Sequence, residues 1–113
     1  MGVRNSVQVI PLTSIASSAL TADYQSINTE GLANACSIIR ITSTSSTDVT
    51  ISYNGSTDHE YLPAGGTITL PFQANAQPQS YVANMAAGTI VYVKGAAGTG
   101  NIYLSGYYTF QGI

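Results

Sequence analysis

The sequence predicts an all-β domain, an antiparallel β-sandwich of jelly-roll or Ig-like type with about seven or eight short strands. Three observations support this prediction. Short runs rich in Val, Ile, Thr and Tyr recur along the 113 residues and are separated by Gly, Pro and Asn turn signals. Several of these runs alternate apolar and polar residues, as strands with one buried face do. The chain contains no amphipathic helix of useful length.

The first twenty residues are predicted to form an extended N-terminal arm, followed by one sandwich domain over residues 21–113. Ser6–Leu12 alternates only weakly, and Pro11 suits an edge strand or a bend. Thr13–Leu20 is small and hydroxyl-rich, which indicates extended chain or loop with room for one helical turn. Because the apolar residues of this arm have no evident packing partner, we expect it to become ordered against a neighbouring subunit.

The remaining elements follow one another at short intervals. The predicted strands are Tyr24–Ile27, Cys36–Thr42, Asp48–Tyr53, His59–Leu62, Thr67–Phe72, Thr89–Lys94 and Asn101–Phe110. Glu30–Ala35 is predicted to be a turn, and Gln73–Met85 a connection rich in Gln, Asn and Ala. The dipeptide Asn54-Gly55 predicts a two-residue type I′ hairpin, because both residue types accept a positive φ angle.

The glycine-rich run Gly95-Ala-Ala-Gly-Thr-Gly100 invites comparison with phosphate-binding loops. A P-loop needs Lys and Ser or Thr after its last glycine, where this chain has Asn101 and Ile102. The dinucleotide-binding pattern fails because its third glycine is replaced by Tyr103. Both motifs also open a helix, whereas the residues after Gly100 have the composition of a strand. The run is therefore predicted to turn a β-hairpin between the strands on either side of it.

The amino-acid composition limits the kinds of partner that the chain is expected to bind. Charged residues make up 7% of the chain, against roughly 25% in a typical soluble domain. This low charge favours a protein that functions within an assembly. The net charge of −2 with three scattered basic residues argues against binding nucleic acid. No apolar run is long enough to span a membrane, and the N-terminus is too polar for a secretory signal. Cys36 is the single cysteine, so no internal disulfide can form.

The candidate chemical residues are better explained by structural roles. Asp58-His59-Glu60 resembles a metal or acid–base group, but alternation along a strand would turn the histidine away from both carboxylates. A Cys36–His59 nucleophilic pair has no local signature, and a buried, inert thiol in an Ile-rich strand is favoured. Tyrosines 103, 107 and 108 could line a sugar-binding surface, although strand packing or an interface is favoured. The sequence thus predicts no enzyme, no metal and no cofactor.

Four phrases of the sequence resemble small virion proteins of tailed bacteriophages. They are Asp48-Val-Thr-Ile-Ser-Tyr-Asn-Gly55, Asp58-His-Glu-Tyr-Leu-Pro-Ala-Gly-Gly66, Tyr92-Val-Lys-Gly95 and Tyr103-Leu-Ser-Gly-Tyr-Tyr108. The resemblance covers roughly residues 36 to 110 and consists of turns and strands, with no catalytic signature. It implies a β-sandwich body on the head, or less often at the neck or tail, with an arm that reaches onto neighbouring subunits.

The resemblance implies a capsid decoration (cement) protein that stabilises the head by bridging major capsid subunits. The expected partners are the major capsid protein and further copies of the chain, as a homo-oligomer or array on the virion, assembled in the bacterial cytoplasm. A head–tail adaptor, neck or tail component is the alternative, and a carbohydrate-binding module on a host-attachment structure is one from another class. The expected interface residues are Val7, Val9, Ile10, Leu12, Tyr103 and Tyr107.

Overall fold

The computed structural model describes residues 4–71 and 85–112 of the chain. Within them lie nine strands and one short 3₁₀ helix, Ser17–Ala19. The strands are β1 (Arg4–Val9), β2 (Thr13–Ala16), β3 (Gln25–Ser26), β4 (Ile38–Ser43), β5 (Val49–Ser52), β6 (Glu60–Leu62), β7 (Thr67–Pro71), β8 (Tyr92–Gly95) and β9 (Asn101–Gly112). The all-β prediction is confirmed. None of the described helical residues forms a helix long and apolar enough to cross a membrane.

The strands form two antiparallel sheets that pack face to face. Sheet A has the order β1-β9-β4-β7, with β2 also paired to β9, and sheet B has the order β3-β8-β5-β6. Strands that follow one another in the sequence mostly belong to opposite sheets, so the chain crosses the sandwich at most connections. This is the arrangement of a jelly roll, one of the two sandwich types that the sequence predicts.

The hydrophobic core lies between the two sheets and follows the alternation of the strands. On β4, Ile39 and Ile41 are fully buried while Arg40 between them is exposed. The fully buried aliphatic side chains are Ile39, Ile41, Ile102 and Leu104 from sheet A, Val49, Ile51, Leu62 and Val93 from sheet B, and Val91 just before β8. Each buried side chain of this size stabilises the fold by about 1.5–3 kcal/mol relative to exposure. The alternation of apolar and polar residues in the sequence therefore separates the buried face of a strand such as β4 from its outward face.

The N-terminal segment is built into sheet A. β1 pairs with the C-terminal half of β9, and β2 pairs with its N-terminal half. Ile10 and Leu20 are buried in the core. Ile15 is partly buried and packs against the same core, so the prediction that apolar residues of this segment lack a packing partner in their own chain is wrong for these three residues. The physical reason is that β9 is twelve residues long, and its edge opposite β4 is available to an early segment.

A β-bulge separates β1 from β2. The N–H of Ile10 donates to the carbonyl of Gly106 over 3.0 Å, whereas Thr13 lies opposite Leu104. The N-terminal segment thus uses one more residue than β9 over the same stretch, which defines a bulge. Pro11 lies within it, where its missing N–H removes no ladder hydrogen bond. The predicted edge or bend at Pro11 is confirmed, and the predicted helical turn appears as the 3₁₀ helix.

The run Gly95–Gly100 does not turn a hairpin, and that prediction is wrong. β8 belongs to sheet B and β9 to sheet A, so the run carries the chain from one sheet to the other. It packs closely on the segment after β4: the N–H of Ser46 donates to the carbonyl of Thr99, and the N–H of Thr99 donates to Ser46 Oγ, both over 3.0 Å. A Cβ added to Gly98 would lie 2.5 Å from Ser46 Oγ. The glycines here permit close approach.

The Asn54-Gly55 turn is longer than the predicted two-residue loop. β5 and β6 do form a hairpin, with Val49 opposite Leu62, but residues 53–59 all lie between the strands. The side chain of Asn54 organises this loop, because its Oδ1 accepts the N–H groups of Ser56 and Thr57, each over 2.9 Å. Side-chain hydrogen bonds of this kind stabilise a wider turn than the two-residue geometry. The positive φ of +80° at Gly55 is confirmed.

Phe72 and most of the predicted Gln73–Met85 connection lie outside the described residues. Met85 itself pairs with Cys36 through two backbone hydrogen bonds of 2.8 and 2.9 Å. This bridge extends β4 backwards, which agrees with the predicted start of that strand at Cys36. The predicted turn at Glu30–Ala35 is also confirmed, with Gly31 at φ +83°.

Candidate interaction surfaces

The outward side of sheet A carries a mixed apolar and aromatic surface. Ile102, Leu104 and Gly106 of β9 are buried, so the alternate residues Tyr103 and Tyr107 face outward. We call the surface formed by Val9, Ile38, Arg40, Tyr103 and Tyr107 the outer patch.

Strand register aligns three members of the outer patch in one row across sheet A. Val9 lies opposite Tyr107, and Tyr107 lies opposite Ile38. Val9 is 59% exposed, so its side chain is accessible within this row. The guanidinium of Arg40 lies 6.0 Å from the centre of the Tyr107 ring. Aromatic residues and Arg beside exposed aliphatic groups are typical of protein–protein interfaces.

The structure places the predicted interface residues in three different settings. Val9, Tyr103 and Tyr107 belong together on the outer patch. Leu12 is 63% exposed at the β-bulge. Ile10 is buried in the core and is therefore wrong as an interface residue, because its hydrogen bond to Gly106 turns its side chain inward. The backbone of Val7 pairs with Thr109, but its side chain lies outside the described part.

The three tyrosines considered as a sugar-binding surface do not share one face. Tyr108 packs against the core, on the opposite side of β9 from Tyr103 and Tyr107. The hydroxyl of Tyr103 accepts a hydrogen bond from Asn101 Nδ2 over 3.0 Å. A sugar platform made of all three side chains is therefore excluded by strand alternation.

Sheet B presents a different outward surface, formed by aromatic and charged side chains. We call Tyr24, Asp48, Asp58, Tyr61 and Lys94 the polar cluster. Lys94 Nζ lies 3.0 Å from Asp58 Oδ1 and 4.5 Å from the centre of the Tyr24 ring. The hydroxyl of Tyr24 donates to the same carboxylate oxygen. Since Asp58 is well exposed, this ion pair contributes little to stability.

Tyr61 and Asp48 form the second half of the polar cluster. The hydroxyl of Tyr61 donates to Asp48 Oδ2 over 2.6 Å, and the N–H of Ala64 donates to Oδ1 over 2.8 Å. The bond from Tyr61, followed by that from Ala64, lowers the pKa of Asp48. The same bond raises the pKa of the Tyr61 hydroxyl. Asp48 is therefore anionic at neutral pH with both oxygens engaged.

An open cleft of about 590 Å³ runs beside these side chains. Asp48, Thr50, Tyr61 and Lys94 line it, together with the backbone at Gly95. Tyr61 is 63% exposed, so its ring is available to a ligand. An accessible aromatic ring beside hydroxyl, carboxylate and ammonium groups suits a ligand rich in hydroxyl groups.

Asp58 and His59 take part in separate interactions. Asp58 belongs to the polar cluster. Nδ1 of His59 accepts the N–H of Tyr53 over 3.0 Å, and the two rings stack with their centres 5.5 Å apart. Within residues 4–71 and 85–112, no group of three or more His, Cys, Asp or Glu side chains could hold a metal ion.

Cys36 is buried in the core, as the sequence predicts. Its Sγ donates to the carbonyl of Asn34 over 3.3 Å. Burial raises the pKa of the thiol, which disfavours the thiolate that a nucleophile requires. The position of Cys36 thus agrees with a packing role.

No family model and no curated protein matches the chain. One solved structure with a similar chain comes from Bacillus endospore appendages, described as a novel family of disulfide-linked pili. That chain is 18% identical, and the match covers 96% of the present chain and 88% of that chain with a TM-score of 0.37. A similarity at this level does not indicate what the present chain does.

Sequence reasoning missed the polar cluster. Its members come from distant positions, such as Tyr24 with Asp58, and no short motif connects them. The one available signal was the alternation of β6, which places Tyr61 on the opposite side from buried Leu62. Part of the outer patch agrees with the sequence analysis, because Val9, Tyr103 and Tyr107 are among the expected interface residues.

Proposed function

We propose that this chain is a structural virion protein of a tailed bacteriophage, a capsid decoration protein that reinforces the head by bridging major capsid subunits. It acts by adding buried surface across subunit junctions, without catalysis and without a cofactor. A protein that binds only the assembled shell stabilises that shell by mass action. Its partners are the major capsid protein and other copies of the chain, in particles assembled in the bacterial cytoplasm.

The observation that carries this proposal is the outer patch. The row Val9, Tyr107 and Ile38, with Arg40 beside it, offers apolar and aromatic contact on a side of the sandwich opposite the core. Tyr and Arg are among the residue types that contribute most of the binding energy at protein interfaces. The low charge of the chain also supports close packing of copies on a shell, because little electrostatic repulsion opposes it.

Co-sedimentation with undecorated heads of the phage that encodes the chain tests the proposal. We expect the double variant Val9→Ser, Tyr107→Ser to lose affinity by at least about tenfold, since both side chains belong to the contact surface. Tyr61→Ser is the matched control, because it removes an exposed tyrosine from the other sheet and should bind as the unchanged chain does. Failure of the unchanged chain to bind heads would contradict the proposal. Cryo-EM of the complete particle would then distinguish a head position from an adaptor, neck or tail position.

A carbohydrate-binding module is the second candidate, and the cleft beside Tyr61 favours it. The ring of Tyr61 and the polar groups of Asp48, Thr50 and Lys94 surround one accessible space. A glycan array followed by titration of the best glycan tests this function. If it is correct, Tyr61→Ser abolishes glycan binding, while the double variant at Val9 and Tyr107 leaves it unchanged. The two candidate functions therefore predict opposite responses to the same pair of variants.

A further inference from the structure

The edges of the two sheets differ in how well they resist pairing with another strand. In sheet B, the edge strands β3 and β6 have only two and three residues. In sheet A, the edge strand β7 ends in Pro71. The hydrogen bond from Ser43 N–H to the Gly66 carbonyl sets the alternation along β7, so residues 67, 69 and 71 direct their backbone groups outward. Pro71 therefore lacks the N–H that an added strand would need.

The opposite edge of sheet A consists of β1 and the four-residue β2, and the longer of the two, β1, has no such protection. It has six residues, Arg-Asn-Ser-Val-Gln-Val, with neither proline nor lysine. The hydrogen bond from Ile10 N–H to the Gly106 carbonyl places even-numbered residues in the bonded pairs with β9. Asn5, Val7 and Val9 consequently direct their N–H and carbonyl groups away from β9. Within the described ranges, no strand pairs with this side of β1.

Most of β1 pairs with a part of β9 that continues beyond the end of β4. β4 pairs with β9 from Ile102 to Tyr107, whereas β1 continues alongside β9 to Gly112. Among the described strands, β1 and the end of β9 thus make a two-stranded ribbon. A two-stranded ribbon is marginally stable in water, and a third strand stabilises it.

We propose that β1 of one copy pairs antiparallel with β1 of a second copy, around a two-fold axis at Val7. Val7 then lies opposite the partner's Val7, and Val9 lies opposite the partner's Asn5. All outward N–H and carbonyl groups of Asn5, Val7 and Val9 find partners in this register, because each outward residue faces another outward residue. The two four-stranded paths, β7-β4-β9-β1, join into one continuous sheet.

Charge and symmetry favour a second copy as the occupant. Arg4 is the single charged residue of β1, and antiparallel pairing about Val7 keeps the two Arg4 residues about 20 Å apart along the strands. The rest of the strand is neutral, so its best complement is another neutral, unprotected strand of the same length. Antiparallel pairing of β1 with β1 of a second copy has two-fold symmetry and uses the free edge of both strands. Association therefore stops at a dimer. Val9, which is exposed at this edge, gains the added strand as a neighbour in the same sheet.

This inference goes beyond the proposed function, because it concerns the isolated protein and holds wherever the chain is located. Failure of capsid binding would leave it standing, and failure of dimerisation would leave the outer patch as the capsid contact. The partner is specified by chemistry: a neutral strand of six residues that offers alternating outward backbone groups.

Sedimentation velocity of the full chain over a range of concentrations tests the pairing. We expect a concentration-dependent dimer, and we expect Val7→Pro to weaken it by at least about tenfold, because proline removes an outward N–H and spares the ladder with β9. Thr69→Pro is the matched control, since it makes the same change at an outward position of β7 and should leave dimerisation unchanged. Circular dichroism verifies that both variants fold. If Val7→Pro does not fold, Val9→Lys replaces it, because Val9 is exposed and lysine opposes edge pairing.

Mild oxidation of cysteine variants tests the register. The proposed pairing places the two Val7 Cα atoms about 5.5 Å apart, within the range that a disulfide spans. We expect Val7→Cys to form a disulfide-linked dimer and Val9→Cys to remain monomeric under denaturing conditions. The unchanged chain is the control, because its Cys36 is buried. A monomer at every concentration, dimerisation of Val7→Pro as strong as that of the unchanged chain, or cross-linking of Val9→Cys would overturn the proposal.

Discussion

Tyr53 combines an apolar environment with a hydroxyl that has no hydrogen-bond partner among the described residues. Its ring packs against the core and stacks on His59. Burial, and after it the charge of Glu60, raises the pKa of this hydroxyl well above its ordinary value. A buried hydroxyl without a partner costs free energy that a phenylalanine would not incur.

We therefore expect Tyr53→Phe to raise the free energy of unfolding by about 0.5–1 kcal/mol at pH 7. The gain should grow above about pH 10, because a folded pKa raised above the unfolded value means that stability is lost as pH rises past the unfolded value. Urea unfolding of both proteins at pH 7 and pH 10.5 measures this. Tyr103→Phe, which loses the hydrogen bond from Asn101, is the control and should give no gain. Destabilisation by Tyr53→Phe would show that its hydroxyl has a partner.

Gly55 supports the wide β5–β6 turn through its backbone conformation. Its φ is +80°, and an added Cβ would lie 3.1 Å from the ring of Tyr92. We expect Gly55→Val to cost about 1–3 kcal/mol of unfolding free energy, measured by thermal and urea unfolding. Gly65→Val is the control for backbone strain alone, since Gly65 has φ +73° with open space around it. A smaller cost at Gly55 than at Gly65 would contradict the contact with Tyr92.

At the scale of elements, the crossing segment Gly95–Gly100 explains why β8 and β9 lie in different sheets. The N–H of Gly98 donates to the carbonyl of Ser17, and the N–H of Gly95 donates to that of Thr21. The segment is thus held between the residues after β2 and those after β4. A hairpin loop in solvent would have no such contacts.

Gly98→Ala tests this arrangement. The new methyl group would overlap Ser46 Oγ, 2.5 Å away, so we expect a loss of about 1–3 kcal/mol in unfolding free energy. Because the obstructing atom is a side-chain oxygen, the same change should cost less in a Ser46→Gly background. A double-mutant cycle by urea unfolding gives the difference. Equal costs in both backgrounds would place Gly98 away from Ser46.

At the scale of the whole molecule, the N-terminal segment has a role that differs from the expected arm. The division into residues 1–20 and 21–113 supposes that the second part folds alone. In the structure, β1 and β2 cover one edge of β9, and Ile10 and Leu20 complete the core. Loss of these two side chains alone removes about 3–6 kcal/mol of burial, a large share of the stability of a small domain.

We therefore expect a chain that begins at Thr21 to lose its cooperative melt, measured by circular dichroism and calorimetry. A chain that begins at Ile10 is the matched control: it lacks β1 but keeps β2, Ile10 and Leu20, and should still melt cooperatively at a lower temperature. A cooperative melt of the Thr21 chain would restore the division into an arm and an independent domain.

The sequence by itself determined the fold class, most strand positions and the inward faces. Alternation at Ile39 and Ile41, or at Val49 and Ile51, depends only on the two-residue period of a strand and on the cost of exposing aliphatic groups. The same period requires Tyr103 and Tyr107 to lie on one face of β9, opposite to Tyr108. These features are local, so a short window of residues contains all the information that they need.

The tertiary structure alone decided which strands pair. Neither Gly95–Gly100 nor Thr13–Ala16 differs locally from a hairpin turn or a loop, and each acquired its role from a partner far away in the chain. Ile10 is a further example. Its sequence context made it a candidate surface residue, and it is buried in the core because the segment that contains it pairs along β9. The polar cluster likewise joins Tyr24 to Asp58 across 34 positions. Segments that are distant in the sequence compete to pair with the same strand edge. The free energy of the whole sandwich determines which of them pairs there.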